Sequence, residues 1–298
     1  MPPELPKPPD ETGLSIRRGS GLALLPNGDT PVLSEIINRS LAHIQTRKSL
    51  AVTERRAGVE CEFEIAPGVK MVMCWIPPGE FLMGSPEDEK NRGGGETQHR
   101  VRITQGFWLS KTQTTQAQWQ AVMGANPSYF KSEDRPVEQV SWDDICGNEH
   151  GTAGFLGELN TRTPTGGLFY LPTEAEWEYA CRAGTTGSYA GDLDEMAWHA
   201  ENSNYQTHSV VQKKPNTWGL YDMQGNVFEW CSDRYGDYEL NALTDPKGSG
   251  RGATRVYRGG GWCDGWRGEQ QYCRASSRNN YSPCTSSKLI GFRVARRQ

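Results

Sequence analysis

The sequence predicts an α+β fold: one loop-rich domain of short strands with a few helices. Three observations lead there. Apolar content is only 35%, while 34 Gly and 18 Pro punctuate the chain, a balance that disfavours a helix bundle. The 10 Trp, 11 Tyr and 8 Phe supply large units of burial, so a compact core forms in spite of that composition. Helical patterns cluster before Gly184, and the remainder is Gly-, Asn- and Trp-rich with little periodicity.

Taken in order, residues 1–13 are Pro-rich and acidic and read as an extended, disordered tail. "DTPVLSEIINRSLAHIQ" predicts a helix with Thr30 as N-cap and Pro31 in the first turn. Val32, Leu33, Ile36, Ile37, Leu41 and Ile44 share one face of it, expected to dock on the chain's own core. Residues 1–59 are therefore an N-terminal extension, and residues 60–298 the main domain. "CEFEIAPGVKMVMCWIPPGEFLMG" alternates around Ala66-Pro67-Gly68 and predicts a hairpin. "TTQAQWQAVMG" predicts a helix capped by Thr114 or Thr115 and stopped at Gly124. Ser141 with Asp144, and Thr173 with Glu176, are capping boxes that open two more helices, the second ending at Gly184.

A net charge of −4 argues against a general nucleic-acid binder. No stretch approaches the ~20 apolar residues of a membrane span. "MPPELPKPPDETG" has no apolar h-region, so the chain shows no secretory signal. The compartment is left open: the cell surface if a leader has been removed, the cytoplasm otherwise. The eight cysteines are scattered, with no C-x-x-C and no zinc spacing, so buried thiols are expected, with one or two disulfides as the alternative for an exported chain. The oligomeric state is left open.

Eight strings then accumulate in order: "WIPPGEFLMGSPEDE", "ETQHRV", "FWLSKTQTTQAQWQAVMGANPS", "RPVEQVSWDD", "LPTEAEWEYACRAG", "NTWGLYDMQGNVFEWCSD", "RGGGW" and "GFRVA". Together they resemble the formylglycine-generating enzyme (sulfatase-modifying factor) family across roughly Glu60–Arg297. The resemblance implies a C-type-lectin-like fold. It also implies a structural calcium in "YDMQGNVFEW", held by Asp222 and Glu229 through carboxylates and by Gly225 and Val227 through carbonyls, an all-oxygen set suited to a hard cation.

Oxidase members of the family bind copper with two cysteines shortly after the RGG motif, and soft thiolates suit Cu(I). Here Cys263 follows "RGGGW" one position early, and Cys273 lies ten residues further on. The cysteine-pair spacing of the oxidases is therefore not matched. The family's iron-dependent branch needs a histidine cluster, and the five histidines here form no H-x-x-x-H pair.

The segment between "RGGGW" and "GFRVA" is expected to be a surface. Cys263, Asp264, Gly265, Trp266, Arg267, Tyr272, Ser276, Asn279, Asn280, Tyr281, Cys284, Thr285, Ser286 and Ser287 mix large aromatic and Arg contacts with small adaptable polar groups, as binding loops do. Cys273 is expected inside the framework and Cys284 outside. The segment is similar to the C-terminal variable region of retroelement-diversified proteins of the same lectin-like fold, in which asparagine codons turn into Tyr, Ser, Cys, Asp, Gly or Thr. The leading expectation is a non-catalytic, receptor-type protein that presents this surface to a protein or peptide ligand. The alternative is a copper-dependent oxidase acting on peptide cysteine through Cys263 and Cys273.

Overall fold

Strand β1 (Glu60–Ala66) and strand β2 (Val69–Ile76) form the expected antiparallel hairpin, with Glu60 opposite Cys74 and a bulge between Glu64 and Ala66. Gly68 supplies the turn at φ +75°, a backbone region that costs a residue without Cβ nothing. The computed structural model describes residues 55–148, 150–163, 167–263 and 270–297. The helix expected over Pro31–Gln45 lies outside them.

Three sheets follow among the described residues. Strand β3 (Gly79–Met83) and strand β4 (His99–Ile103) pair antiparallel, and β8 (Leu243–Thr244) joins β4 in parallel. The largest sheet has the order β1-β2-β5-β12-β6, with β5 at Phe107–Ser110, β6 at Phe169–Tyr170 and β12 at Ala295–Arg296. The final strand thus lies between two strands from the first half of the domain, so the sheet closes only when the chain's end returns to its start. The third sheet, β10-β9-β7-β11, unites β7 (Phe228–Arg234), β9 (Arg255–Arg258), β10 (Arg278–Tyr281) and β11 (Ile290–Gly291), with β10 at an edge.

The helices obey their capping signals. In α1 (Gln116–Met123), Thr115 and Gln118 form a reciprocal capping box, and Gly124 closes the helix in the left-handed region. In α2 (Trp142–Cys146), Ser141 and Asp144 do the same. Helix α3 (Phe155–Arg162), absent from the sequence reading, starts at Gly154 without any side-chain cap, which is why no signal announced it. Helix α4 (Glu174–Arg182) is boxed by Thr173 and Glu176; Ala183 takes the left-handed cap one residue before the expected Gly184. Helix α5 (Leu193–Met196) is a single turn capped by Asp192.

Two large apolar clusters fill most of the interior of the described residues. One gathers Trp75, Trp108, Trp119, Phe155, Trp230 and Phe292, and the other Phe107, Trp177, Leu109 and Val256. Burying such side chains is worth about 1.5–3 kcal/mol each. Trp262 of "RGGGW" and Phe292 of "GFRVA" lie in the interior. The described residues form one compact unit.

All nine residues of α4 are buried, including three glutamates and an arginine. A buried charge must find a partner, and each one here does. Arg278 grips Glu174 with both nitrogens at 2.7–2.8 Å. Arg258, the arginine of "RGGGW", meets Glu178, which also takes Arg182 at 2.8 Å. Glu176 receives Arg297 at 2.8 Å. The glutamates of α4 and the arginines of β9 and β10 therefore form one buried ionic lattice. It fixes β9 and β10 against α4 and so positions the segment that follows.

Candidate recognition surface

Along residues 270–287, the chain alternates between side chains committed to the interior and side chains left on the outside. A 3-10 turn at Gln270–Cys273 comes first. Cys273 is fully buried, as expected, against Leu193 and Ala197. Gly260, at φ +74°, makes room for it: a Cβ there would sit 2.4 Å from the Cys273 sulfur. Arg274 then turns inward onto Glu96 at 2.7 Å and Glu89 at 2.6 Å. The loop "GSPEDEKNRGGGE" thus contributes two carboxylates to the interior.

Ser276 corrects the sequence reading. It is fully buried, because Arg258 and Arg274 both need acceptors there. Its carbonyl accepts from Arg258 Nη1 at 2.7 Å, and its hydroxyl bonds Arg274 Nη1 at 2.9 Å and Glu89 at 3.0 Å. It belongs to the framework and not to the surface.

Beyond Arg278 the character reverses. Asn280, Tyr281, Cys284 and Ser286 are exposed, and Asn279, Thr285 and Ser287 are half-buried; Tyr272, ahead of the inward run, is half-buried too. The main chain beneath them is held firmly. β10 pairs with β9 through Tyr281, Asp143 donates its N–H to the Pro283 carbonyl at 3.1 Å, and Gln139 donates to Ser287 at 3.0 Å. Tyr281 stacks on Tyr257 at 6.2 Å. Among the described residues, no hydrogen bond occupies the side chains of Asn279, Asn280, Thr285 or Ser286. The strip therefore combines a fixed backbone with uncommitted side chains. Asp264, Gly265, Trp266 and Arg267 lie outside the described residues.

The structure adds neighbours that sequence spacing did not suggest. Phe130 packs edge-on to Trp262 at 5.3 Å, and Lys288 reaches over the rings of both Tyr129 and Trp262. Tyr129 is 63% exposed, and Lys288 directly follows the strip. Glu138 holds this corner by accepting the amides of Tyr129 at 2.6 Å and Phe130 at 2.8 Å. Burial pushes the Glu138 carboxyl up to about 6. More than 130 residues separate Phe130 from Trp262, so no local pattern could have joined them.

The expected calcium ligands converge on one point, and a side chain stands there. The Gln113 amide nitrogen lies 3.2 Å from the Gly225 carbonyl, 2.8 Å from that of Val227 and 3.0 Å from Glu229 Oε1. Asp222 joins this ring through its main-chain carbonyl at 3.0 Å, while its carboxylate accepts the Val211 N–H at 3.2 Å. Asp222 has φ +54°, which turns the main chain at that point.

No disulfide links the eight cysteines. Cys74, Cys181, Cys231 and Cys273 are buried, and burial raises the thiols of Cys74 to about 11 and of Cys181 to about 12. Cys263 is half-buried and Cys284 exposed, the latter as expected. Among the described residues, no group of three or more His, Cys, Asp and Glu is arranged to hold a metal, and no helix is long and apolar enough to cross a membrane.

One antiparallel and two mixed sheets, few helices and a strip of surface loops returning to a closing terminal strand define a C-type-lectin-like scaffold. The sulfatase-modifying factor enzyme 1-like domain model matches residues 66–298, and the chain belongs to that family. It is similar to the chaperone protein LppX of Paenibacillus barcinonensis, at 33% identity over 205 residues, 52% of this chain and 69% of LppX. It is equally similar to the formylglycine-generating enzyme of Streptomyces coelicolor, at 33% over 201 residues, 60% of this chain and 58% of that enzyme. The chain thus spans little more than half of that enzyme's length. Among solved structures, Treponema denticola variable protein 1 superposes with a TM-score of 0.70 at 29% identity, over 80% of this chain and 99% of its own. PvdO from Pseudomonas aeruginosa does so with a TM-score of 0.66 at 24% identity, over 82% and 100%.

Proposed function

We propose that this is a non-catalytic recognition protein that presents the strip Asn279–Ser287 to a protein or exposed peptide, with Tyr129 and Lys288 beside it. The observation that carries this reading is the division of labour in the strip: its backbone is pinned, while the side chains of Asn279, Asn280, Thr285 and Ser286 hold nothing up among the described residues. A surface of that kind tolerates sequence change without loss of fold. Tyrosine with small polar residues gives broad, adaptable contact area at low entropic cost. The likeness to variable protein 1 along nearly the whole of that chain supports the reading. Diversification of the strip by a retroelement is its sharpest form.

The test is a display library randomised at Asn279, Asn280, Tyr281, Thr285 and Ser286 and selected against one purified protein, lysozyme. Folded binders at wild-type melting temperature support the proposal; a library dominated by unfolded members contradicts it.

The similarity to a formylglycine-generating enzyme keeps a second reading in play, copper held by Cys263 and Cys273. Burial of Cys273 beneath Gly260, among Leu193 and Ala197, weighs against an ion reaching it. Cu(I) titration of the reduced protein separates the two readings. Tight one-to-one binding that vanishes in Cys263→Ser/Cys273→Ser would establish the oxidase reading.

A further inference from the structure

The ring of oxygens around Gln113 is where the family resemblance and this chain's own geometry part. Calcium takes six to eight oxygen ligands at about 2.3–2.6 Å, with carboxylates supplying the charge. Here the ring holds three main-chain carbonyls and one carboxylate oxygen, at 2.8–3.2 Å from the Gln113 nitrogen. The single carboxylate in it is already neutralised. Arg293 pairs with Glu229 through Nε–Oε2 at 2.7 Å and Nη2–Oε1 at 2.8 Å, and Trp177 donates to Oε2 at 2.7 Å. The oxygen that would bind a cation is therefore the one that already holds a guanidinium. All three side chains, Gln113, Glu229 and Arg293, are fully buried.

The orientation of the Gln113 amide is fixed by the same ring. Turned over, its carbonyl oxygen would face four other oxygens, whereas the nitrogen meets only acceptors. The opposite atom, Gln113 Oε1, is buried and accepts no hydrogen bond. The nitrogen is the held atom.

We propose that the Gln113 carboxamide takes the place of the structural cation, so that this domain is metal-independent at the turn before β7. The amide presents a partial positive charge and two N–H groups to the ring, and Arg293 supplies the full charge that Glu229 requires. In the chain, Gln113 lies between β5 and the Thr115 cap of α1, so the one side chain ties that junction to residues 222–229. The cost is a residual mismatch of two hydrogens for four acceptors; the gain is a fold that does not depend on ion supply.

Melting the full chain in excess EDTA and again in excess calcium tests this. The wild-type melting temperature is expected to agree within about 1 °C between the two, because a ligand that does not bind the folded state does not shift its melting. Gln113→Glu places a second carboxylate in the ring. Its melting temperature in EDTA is expected to fall by about 5 °C or more, and to return on adding calcium with uptake of one ion per chain. Gln113→Ala, which only opens the ring, is expected to melt early as well. A wild-type melting temperature that EDTA lowers by several degrees, with Glu229→Gln abolishing the effect, would overturn the proposal. So would a folded Gln113→Glu that ignores calcium. The wild-type comparison decides the matter even where the variants fail to fold.

Discussion

The interior lattice around α4 and the outer strip after Arg278 are built from neighbouring residues and behave in opposite ways. In the lattice, every polar side chain is spoken for: Arg258 with Glu178, Arg278 with Glu174 and Arg274 with Glu96. In the strip, the main chain is anchored while Asn279, Asn280, Thr285 and Ser286 hold no side-chain partner among the described residues. Strand β10 passes from one regime to the other within four residues. Specificity of fold and freedom of surface are thus separated along a single strand, and a change on one side need not be felt on the other.

The sharpest way to break the comparison is to attack the lattice. Arg258→Met leaves Glu178 buried without its main partner, and removing one member of a buried pair costs about 3–5 kcal/mol. Thermal denaturation should show a loss of about 10 °C or more for a domain of this size. A smaller loss would mean that solvent reaches Glu178.

The next largest effect is one of pH. Asp233 accepts the Glu174 N–H at 3.0 Å and the Ser232 hydroxyl at 2.9 Å, and lines a cavity of about 350 Å³ with Glu174, Tyr238 and Arg278. Burial first, then the Glu174 carboxylate, pushes its carboxyl up to about 7. The folded chain then binds a proton that the unfolded chain releases near pH 4. Stability contributed by that proton is complete below pH 4 and is lost as pH rises through 7, up to about 4 kcal/mol. Asp233→Asn should flatten this slope and melt higher than wild type at pH 8. An unchanged pH profile would show that Asp233 is ionised in the fold.

Milder still is the corner of the surface. Glu138→Gln keeps an acceptor for the amides of Tyr129 and Phe130 and removes a carboxyl that burial raises to about 6. Its expected effect is about 1 kcal/mol or less at pH 5, with a gain at pH 8, checked by chemical denaturation.

Much of the framework was legible because its signals are local. Three capping boxes, at Thr115, Ser141 and Thr173, close within three residues, and the Ala66-Pro67-Gly68 hairpin within a turn. The placement of β12 between β5 and β6 and the parallel pairing of β11 with β7 join residues far apart in the chain, and periodicity does not report such pairs. The same distinction governs the surface. Cys273 inside and Cys284 outside follow from their immediate neighbours. Ser276 was misplaced because the arginines that bury it take their partners from residues 89, 96 and 178. Tyr129 and Phe130 were missed because their link to Trp262 exists only in three dimensions.

The most direct test of that separation is the melting temperature of many strip variants at once. Chains randomised together at Asn279, Asn280, Tyr281, Thr285 and Ser286 should melt, for the most part, within about 3 °C of wild type, since substitutions on an uncommitted surface stay within about 0.5 kcal/mol each. If most of them unfold early or fail to fold, the strip is part of the framework and the account is wrong.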